Sequence, residues 1–219
     1  SQLYIRKQVA YANGDTPLMI AIVNNHKEII DLLIKDERFD PIESRLNFAF
    51  IYANKEISDQ LYSLSFLDVN EQFDVPYSPM KVNSLIHSVK INDVEKIDKI
   101  ISHRSFDIYK SGVKKAIFIS AKKNNIEVFR KLIELIENDV NIINEQRQSL
   151  LACASKNLSG NIVDEILNNE HFENRNDQLL TAFIQTYSEG GPQKLKKFLK
   201  QKRLFDFAST HNFDIKIPL

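Results

Sequence analysis

Three lysines recur at one constant spacing: Lys90, Lys123 and Lys156 follow one another at intervals of 33 residues. If each occupies the same place in a repeated unit, their ammonium groups form a ladder with steps of about 10 Å, the separation of packed helices. Such a ladder could bind the carboxylates of an acidic partner segment, with an affinity that falls as the salt concentration rises. The alternative is that a composition rich in Lys, Asn and Ile places lysines on any exposed face.

Aromatic side chains form a second candidate site. Phe48 and Tyr52 lie one helical turn apart, and the repeat register places His87 at the position of Phe48 in the following unit. Aromatic anchors beside charged groups are typical of protein interfaces. The alternative is that these side chains pack inside their own unit.

The residue types needed for catalysis or metal binding do not converge. No histidine lies in the helical part of the unit that holds Cys153 to act as its base, and His171, the nearest, falls in the link that follows. None of the five histidines forms an i, i+4 pair or has a cysteine companion. No pair of acidic residues lies in an apolar setting that suits acid–base catalysis. We therefore predict no catalytic residue, metal or cofactor, and no enzymatic activity.

An aromatic–acidic pair divides the chain into units. Its copies are Phe39-Asp40, Phe73-Asp74, Phe106-Asp107, Phe172-Glu173 and Phe205-Asp206. The successive phenylalanines are 34, 33, 66 and 33 residues apart, which fits a unit of 33 residues with one marker missing. Self-similarity at such a period indicates stacked repeats whose neighbours cover one another's apolar faces.

The first complete unit predicts two helices joined by a tight turn. Its motif residues, in order, are Gly14, Thr16-Pro17-Leu18, Ala21, Asn24-Asn25 and the apolar run Ile29–Ile34. Thr16 suits the N-cap of a helix, and Pro17 suits the first helical position. Asparagine tolerates the left-handed conformation that often ends a helix, so a second helix follows the turn.

These residues resemble an ankyrin repeat. The resemblance rests on Thr16-Pro17-Leu18, Ala21, His26 and the run Ile29–Ile34, whereas Met19 stands where the family usually has His and Asn25 where it usually has Gly. The pattern is similar to the divergent ankyrin arrays of protozoan and bacterial-effector proteins. The resemblance implies recognition of a protein partner on a concave surface, which the loop tips and the first helix of each unit form.

The same register extends this prediction along the chain. We expect about six units, with approximate boundaries 10–41, 42–75, 76–108, 109–141, 142–174 and 175–207, and a C-terminal cap or tail over 208–219. Together they form a single ankyrin-repeat domain spanning 1–219. The predicted fold class is all-α, an ankyrin-type helix–turn–helix solenoid with extended loops between the repeats.

The overall composition argues against several functions. Twenty-nine basic and 29 acidic side chains leave no net charge, which disfavours nucleic-acid binding. No apolar run is long enough to span a membrane, and one cysteine cannot form an internal disulfide. We expect a cytoplasmic, intracellular location, with secretion as an effector left open. Because the chain opens on Ser1 without a Met, we also expect a fragment of a larger protein.

The sequence thus favours a protein-interaction module that binds an unidentified protein with an acidic segment. The candidate contact residues are Lys90, Lys123 and Lys156 first, and His87, Phe48 and Tyr52 second. The alternative is a targeting or regulatory ankyrin arm of a larger enzyme or secreted effector.

Overall fold

The structure, a computed structural model, describes residues 16–74, 81–157 and 159–173, together with positions 181, 182, 184, 188, 191 and 193. Over these residues it contains ten helices and no extended strand, so the all-α prediction is confirmed. The chain divides into two compact units, Ser1–Gly112 and Val113–Leu219. The predicted single domain stays a prediction. The predicted sixth repeat (175–207), apart from the six isolated positions, and the predicted tail lie outside the described residues.

Three helix–turn–helix pairs build the described part of the N-terminal unit. They are α1 (Pro17–Val23) with α2 (Lys27–Lys35), α3 (Leu46–Tyr52) with α4 (Lys55–Tyr62), and α5 (Ser84–Ile91) with α6 (Val94–Ile101). The first helices form one layer, in which α1 packs against α3 and α3 against α5. Among the second helices, α4 contacts α6. This layering positions the side chains of α3 and α5 next to each other.

Two pairs build the described part of the C-terminal unit. They are α7 (Val113–Lys123) with α8 (Ile126–Glu134), and α9 (Leu150–Lys156) with α10 (Gly160–Asn168). The first helices α7 and α9 pack together, and so do the second helices α8 and α10. On the outer surface Arg130 of α8 forms a bidentate ion pair with Glu165 of α10, at 3.0 and 2.8 Å.

Polar side chains fix where the helices begin, as the first unit predicted. The Thr16 hydroxyl accepts the backbone N–H of Met19 at 3.2 Å, and Pro17 occupies the first helical position. The same N-cap bond recurs at five other helices, from Asn54, Asn83, Asp93, Asn125 and Ser149. Each satisfies a backbone donor that a helix start leaves open.

Asparagines in the left-handed conformation form three of the turns within the pairs. Asn25, Asn92 and Asn124 have φ angles of 60°, 63° and 53°, respectively. Asparagine tolerates this region better than most residues, because its side chain can bond locally. The predicted role of the Asn24-Asn25 turn is therefore confirmed.

Equivalent positions of the first helices are buried in several units. One apolar position holds Leu18, Leu46, Leu85 and Leu151, and the position three residues later holds the small residues Ala21, Ala49, Ser88 and Ala154. Small side chains at this point let a neighbouring helix approach closely. The apolar faces expected of stacked repeats therefore form the core of both units.

The loops share a turn that the sequence analysis did not identify. In five of them a side chain accepts the backbone N–H of the residue two positions later, at 2.8–3.1 Å. These pairs are Asp36–Arg38, Asp68–Asn70, His103–Ser105, Asp139–Asn141 and Asn169–His171. Isolated antiparallel bridges, Phe73 with Val82 and Ile143 with Ser149, close two of the longer links.

Candidate protein-binding site

The three candidate lysines lie on first helices of the two units. Lys90 is a half-buried residue of α5 in the N-terminal unit, and Lys123 and Lys156 are exposed last residues of α7 and α9 in the C-terminal unit. Cations at the end of a helix also interact favourably with its dipole, which is an ordinary reason for lysine there. That the three lysines form one ladder stays a prediction.

The other three candidates come together in the N-terminal unit. The ring of Tyr52 lies between those of Phe48 and His87, with centroid distances of 5.3 Å and 5.1 Å and edge-to-face orientations. Helix α3 carries Phe48 and Tyr52, and α5 carries His87, so the packing of these two helices creates the contact. We call Phe48, Tyr52 and His87, with Phe73 and Arg45 described next, the aromatic strip.

Phe73 and Arg45 extend the aromatic strip beyond the predicted residues. The Phe73 ring lies 5.1 Å from that of Phe48, and the Arg45 guanidinium lies over the Phe48 ring at 4.7 Å. Phe48 itself is 7% exposed, so the accessible part of the strip belongs to its neighbours. The sequence offered one signal for Phe73, since it is one of the repeated aromatic–acidic markers. Arg45 directly precedes α3, and no motif in the sequence pointed to it.

Burial sets the charge of the two polar rings. Desolvation, together with the nearby cations Lys96 and Lys90, lowers the pKa of His87 from 6.5 to about 4, and Asp93 opposes this weakly. Desolvation raises the pKa of Tyr52 above 10.0. Both rings are therefore uncharged near neutral pH, and the Tyr52 hydroxyl keeps its proton.

The polar atoms of these two rings are not used within the described part of the chain. Neither the Tyr52 hydroxyl nor the ring nitrogens of His87 form a hydrogen bond with any described residue, although both side chains are half-buried. A neutral imidazole offers one donor and one acceptor, and the phenol offers a donor and an acceptor. The aromatic strip therefore presents unused hydrogen-bonding groups in a largely apolar setting.

A buried lysine supports the aromatic strip. Lys96 of α6 is 4% exposed, and its Nζ donates to the carbonyl oxygens of Phe50, Ile51 and Ala53 at 2.6, 3.1 and 2.9 Å. The same ammonium lies over the Phe50 ring at 4.7 Å. These carbonyls lie at the C-terminal end of α3, where a helix leaves acceptors open. Lys96 thus fixes the end of the helix that carries Tyr52.

Cys153 lacks the surroundings of a nucleophile. It is fully buried in α9, and its Sγ faces the backbone carbonyl of Phe118 at 4.0 Å. Desolvation raises the pKa of this thiol above 9.0, and the cations Lys122 and Lys156 oppose the shift less strongly. A thiol with a raised pKa is mostly protonated and unreactive at neutral pH. Cys153 is therefore a packed thiol of the core.

Among the residues that the structure describes, no group of three His, Cys, Asp or Glu side chains is placed to hold a metal ion. None of the described helices has the length and apolar character to cross a membrane.

Paired helices joined by asparagine turns and capped by polar residues define the described chain as a helical repeat protein. Residues 13–43 match the family model of the ankyrin repeat. No curated protein and no solved structure matches the chain. The resemblance predicted from Thr16-Pro17-Leu18 is therefore confirmed, and one ankyrin repeat is detected, at residues 13–43. Ankyrin repeats are in general protein–protein interaction modules and are typically non-catalytic.

Proposed function

We propose that the chain is a protein-interaction module whose concave surface, formed by the first helices and the loop tips, binds a protein with an acidic segment. The observation that carries this proposal is the aromatic strip on α3 and α5, where uncharged, half-buried rings lie beside Lys90 and Arg45. Aromatic groups with a cationic rim are typical of interfaces. The exposed lysines 123 and 156 would extend the same preference for acidic partners along the C-terminal unit.

The module acts by non-covalent recognition, without a cofactor or a chemical step, in the cytoplasm. A preorganised surface binds with a smaller loss of conformational entropy than a flexible one. A second candidate is that the chain serves as the targeting or regulatory arm of a larger enzyme or secreted effector. The full-length open reading frame distinguishes the two, because only the second requires a further catalytic or export segment.

Selection from a library of random 12-residue peptides displayed on phage tests the proposed function. The wild-type chain and a Lys90→Glu/Lys123→Glu/Lys156→Glu variant serve as bait, and circular dichroism checks the fold of each. We expect the wild type to enrich peptides with Asp and Glu and the variant to lose them. The matched control is Lys35→Glu/Lys55→Glu/Lys131→Glu, which makes the same change of charge on the second helices α2, α4 and α8.

The control variant should enrich the same acidic peptides as the wild type. Equal enrichment by all three proteins would show that the candidate lysines do not contact the partner. Enrichment without any acidic bias would contradict the proposed partner chemistry.

A further inference from the structure

Tyr52 and His87 form the accessible pair within the aromatic strip. Their rings meet edge to face at 5.1 Å across the α3–α5 contact, and their polar atoms bind no described residue. A half-buried polar group without a partner is costly unless water or a ligand satisfies it. These polar atoms are not among the fully buried, unpartnered ones, so water reaches them and a ligand at this spot can take the place of that water.

The charges around His87 favour an anion. From its own helix α5, Lys90 acts on the ring, and from α6 both Lys96 and Asp93 do so, with Lys96 the strongest of the three. From α3 the ring faces Tyr52, which is uncharged, and Arg45 lies at the far end of the strip over Phe48. Asp93 is engaged as the N-cap of α6, where it accepts the N–H of Lys96 at 3.0 Å. The two cations outweigh the single acid. The net field at the His87 ring therefore attracts a carboxylate and repels a cation.

The backbone that carries the pair is fixed in advance. Lys96 binds three carbonyls at the end of α3, directly at the turn of helix that carries Tyr52. Phe50 and Ile51 in the same turn are each 1% exposed, so the helix cannot shift without disturbing the core. A donor pair on a rigid support binds with a small entropic cost.

We propose that the Tyr52–His87 pair is a carboxylate-recognition site, at which the Tyr52 hydroxyl and an imidazole N–H donate to an Asp or Glu side chain of a peptide. Lys90 contributes attraction from the same helix as His87. This inference rests on the proposed function and names the chemistry of the partner at one site. Hydrogen bonds to a charged acceptor are stronger than neutral ones, so each donor discriminates a carboxylate from an amide.

A pair of peptides tests the site directly. The probes are Ac-(Glu-Ala)6-NH2 and its neutral counterpart Ac-(Gln-Ala)6-NH2, each titrated into the full 219-residue chain labelled uniformly with 15N and with 13C-histidine. The NMR signal of the His87 Cε1–H group, assigned with a His87→Phe variant, reports the pKa. We expect the glutamate peptide to raise the pKa of His87 by about one unit, because a nearby carboxylate stabilises the imidazolium. The glutamine peptide should leave it unchanged.

Conservative variants separate recognition from support of the fold. Tyr52→Phe keeps the ring contacts and removes only the hydroxyl, so we expect it to weaken binding of the glutamate peptide about tenfold. The matched control is Tyr109→Phe, since Tyr109 is 94% exposed in a loop of the same unit. It should bind as the wild type does. Unaltered binding by Tyr52→Phe would overturn the assignment.

The outcomes distinguish this inference from the proposed function. If the glutamate peptide perturbs the amide signals of Lys123 and Lys156 but not His87, the carboxylate site is wrong and the interaction module stands. If no signal responds and the peptide selection shows no acidic bias, the carboxylate site and the proposed binding of an acidic partner are both wrong. A response to a single-stranded DNA decamer that exceeds the response to the peptide would assign the site to phosphate and overturn the inference.

Discussion

The ammonium group of Lys96 lies 2.6 Å from the backbone carbonyl oxygen of Phe50, 46 positions earlier in the chain. With the bonds to Ile51 and Ala53, it connects α6 to the C-terminal end of α3. A helix end carries partial negative charge on its open carbonyls, which a cation stabilises. In the described part of the N-terminal unit, Lys96 therefore takes the role that a C-capping residue usually has.

Replacement of Lys96 should strongly destabilise the chain. Lys96→Met keeps the aliphatic stem but removes the donors to three buried carbonyls, so we expect a loss of about 2–4 kcal/mol in the free energy of unfolding. Lys99→Met on the same helix is the control. Lys99 forms a partly exposed ion pair with Asp59, and such pairs contribute at most about 1 kcal/mol. Urea denaturation followed by circular dichroism measures both, and equal losses would contradict a special role for Lys96.

Replacement of Ser88, in contrast, should stabilise the chain. Ser88 stands at the small position that other units fill with Ala, and its buried Oγ has no hydrogen-bond partner among the described residues. Ser88→Ala should therefore stabilise the chain by about 1 kcal/mol, because it removes an unsatisfied polar atom from the core. In the same helix the Ser84 hydroxyl donates to the Val69 carbonyl at 2.8 Å. Ser84→Ala should destabilise, and thermal unfolding of the two variants should shift in opposite directions.

Repetition explains which parts of the fold were predictable from the sequence. The leucines and small residues of the first helices, the Thr16 cap and the Asn25 turn each depend on local sterics or on the apolar period, which a sequence displays directly. The sequence analysis also selected Phe48, Tyr52 and His87, which the structure brings together. The repeat register, however, identifies which positions are equivalent in different units. It does not show whether the side chains at those positions are buried. Ile51 occupies the position of Lys90 in its own unit, yet it is 1% exposed because α3 is apolar on most sides.

Long-range polar contacts were not predictable in this way. Lys96 has the sequence context of an ordinary surface residue in a charged helix, and only the packing of α6 brings it to the end of α3. The polar atoms of Tyr52 and His87 form no hydrogen bond with a described residue, which is likewise a property of the assembled helices. Both features depend on residues that are distant in sequence, and neither recurs with the period of the repeats.

The loop asparagines provide a test of how neighbouring repeats are joined. Asn141 Nδ2 donates to the His171 carbonyl at 2.6 Å, and its Oδ1 accepts the Glu173 N–H at 2.9 Å. Asn141→Ala removes both bonds and should cost about 1–2 kcal/mol. Asn141→Asp retains the acceptor but places a carboxylate oxygen next to the His171 carbonyl oxygen, and the two repel each other. The loss in the free energy of unfolding should therefore be at least as large. Chemical denaturation ranks the variants, and an Asp variant as stable as the wild type would contradict the donor role.

The buried ring of His87 predicts how stability depends on pH. The pKa of His87 is lowered to about 4 in the folded chain, whereas a histidine in the unfolded chain titrates near 6.5. Between these values the unfolded state binds more protons, so the contribution of the neutral ring is complete above pH 6.5. It is lost progressively as the pH falls from 6.5 to about 4, up to about 3 kcal/mol in total, and stays constant below that.

His87→Phe isolates this contribution, since it keeps an aromatic ring beside Tyr52 but cannot titrate. Other groups, including His103, whose pKa burial also lowers, titrate equally in both proteins and cancel in the comparison. Free energies of unfolding from urea titrations at several pH values should therefore show the wild type losing stability relative to the variant between pH 6.5 and 4. Parallel curves over that range would show that solvent reaches the His87 ring in the folded chain, and the ring would then not be the neutral donor that carboxylate recognition requires.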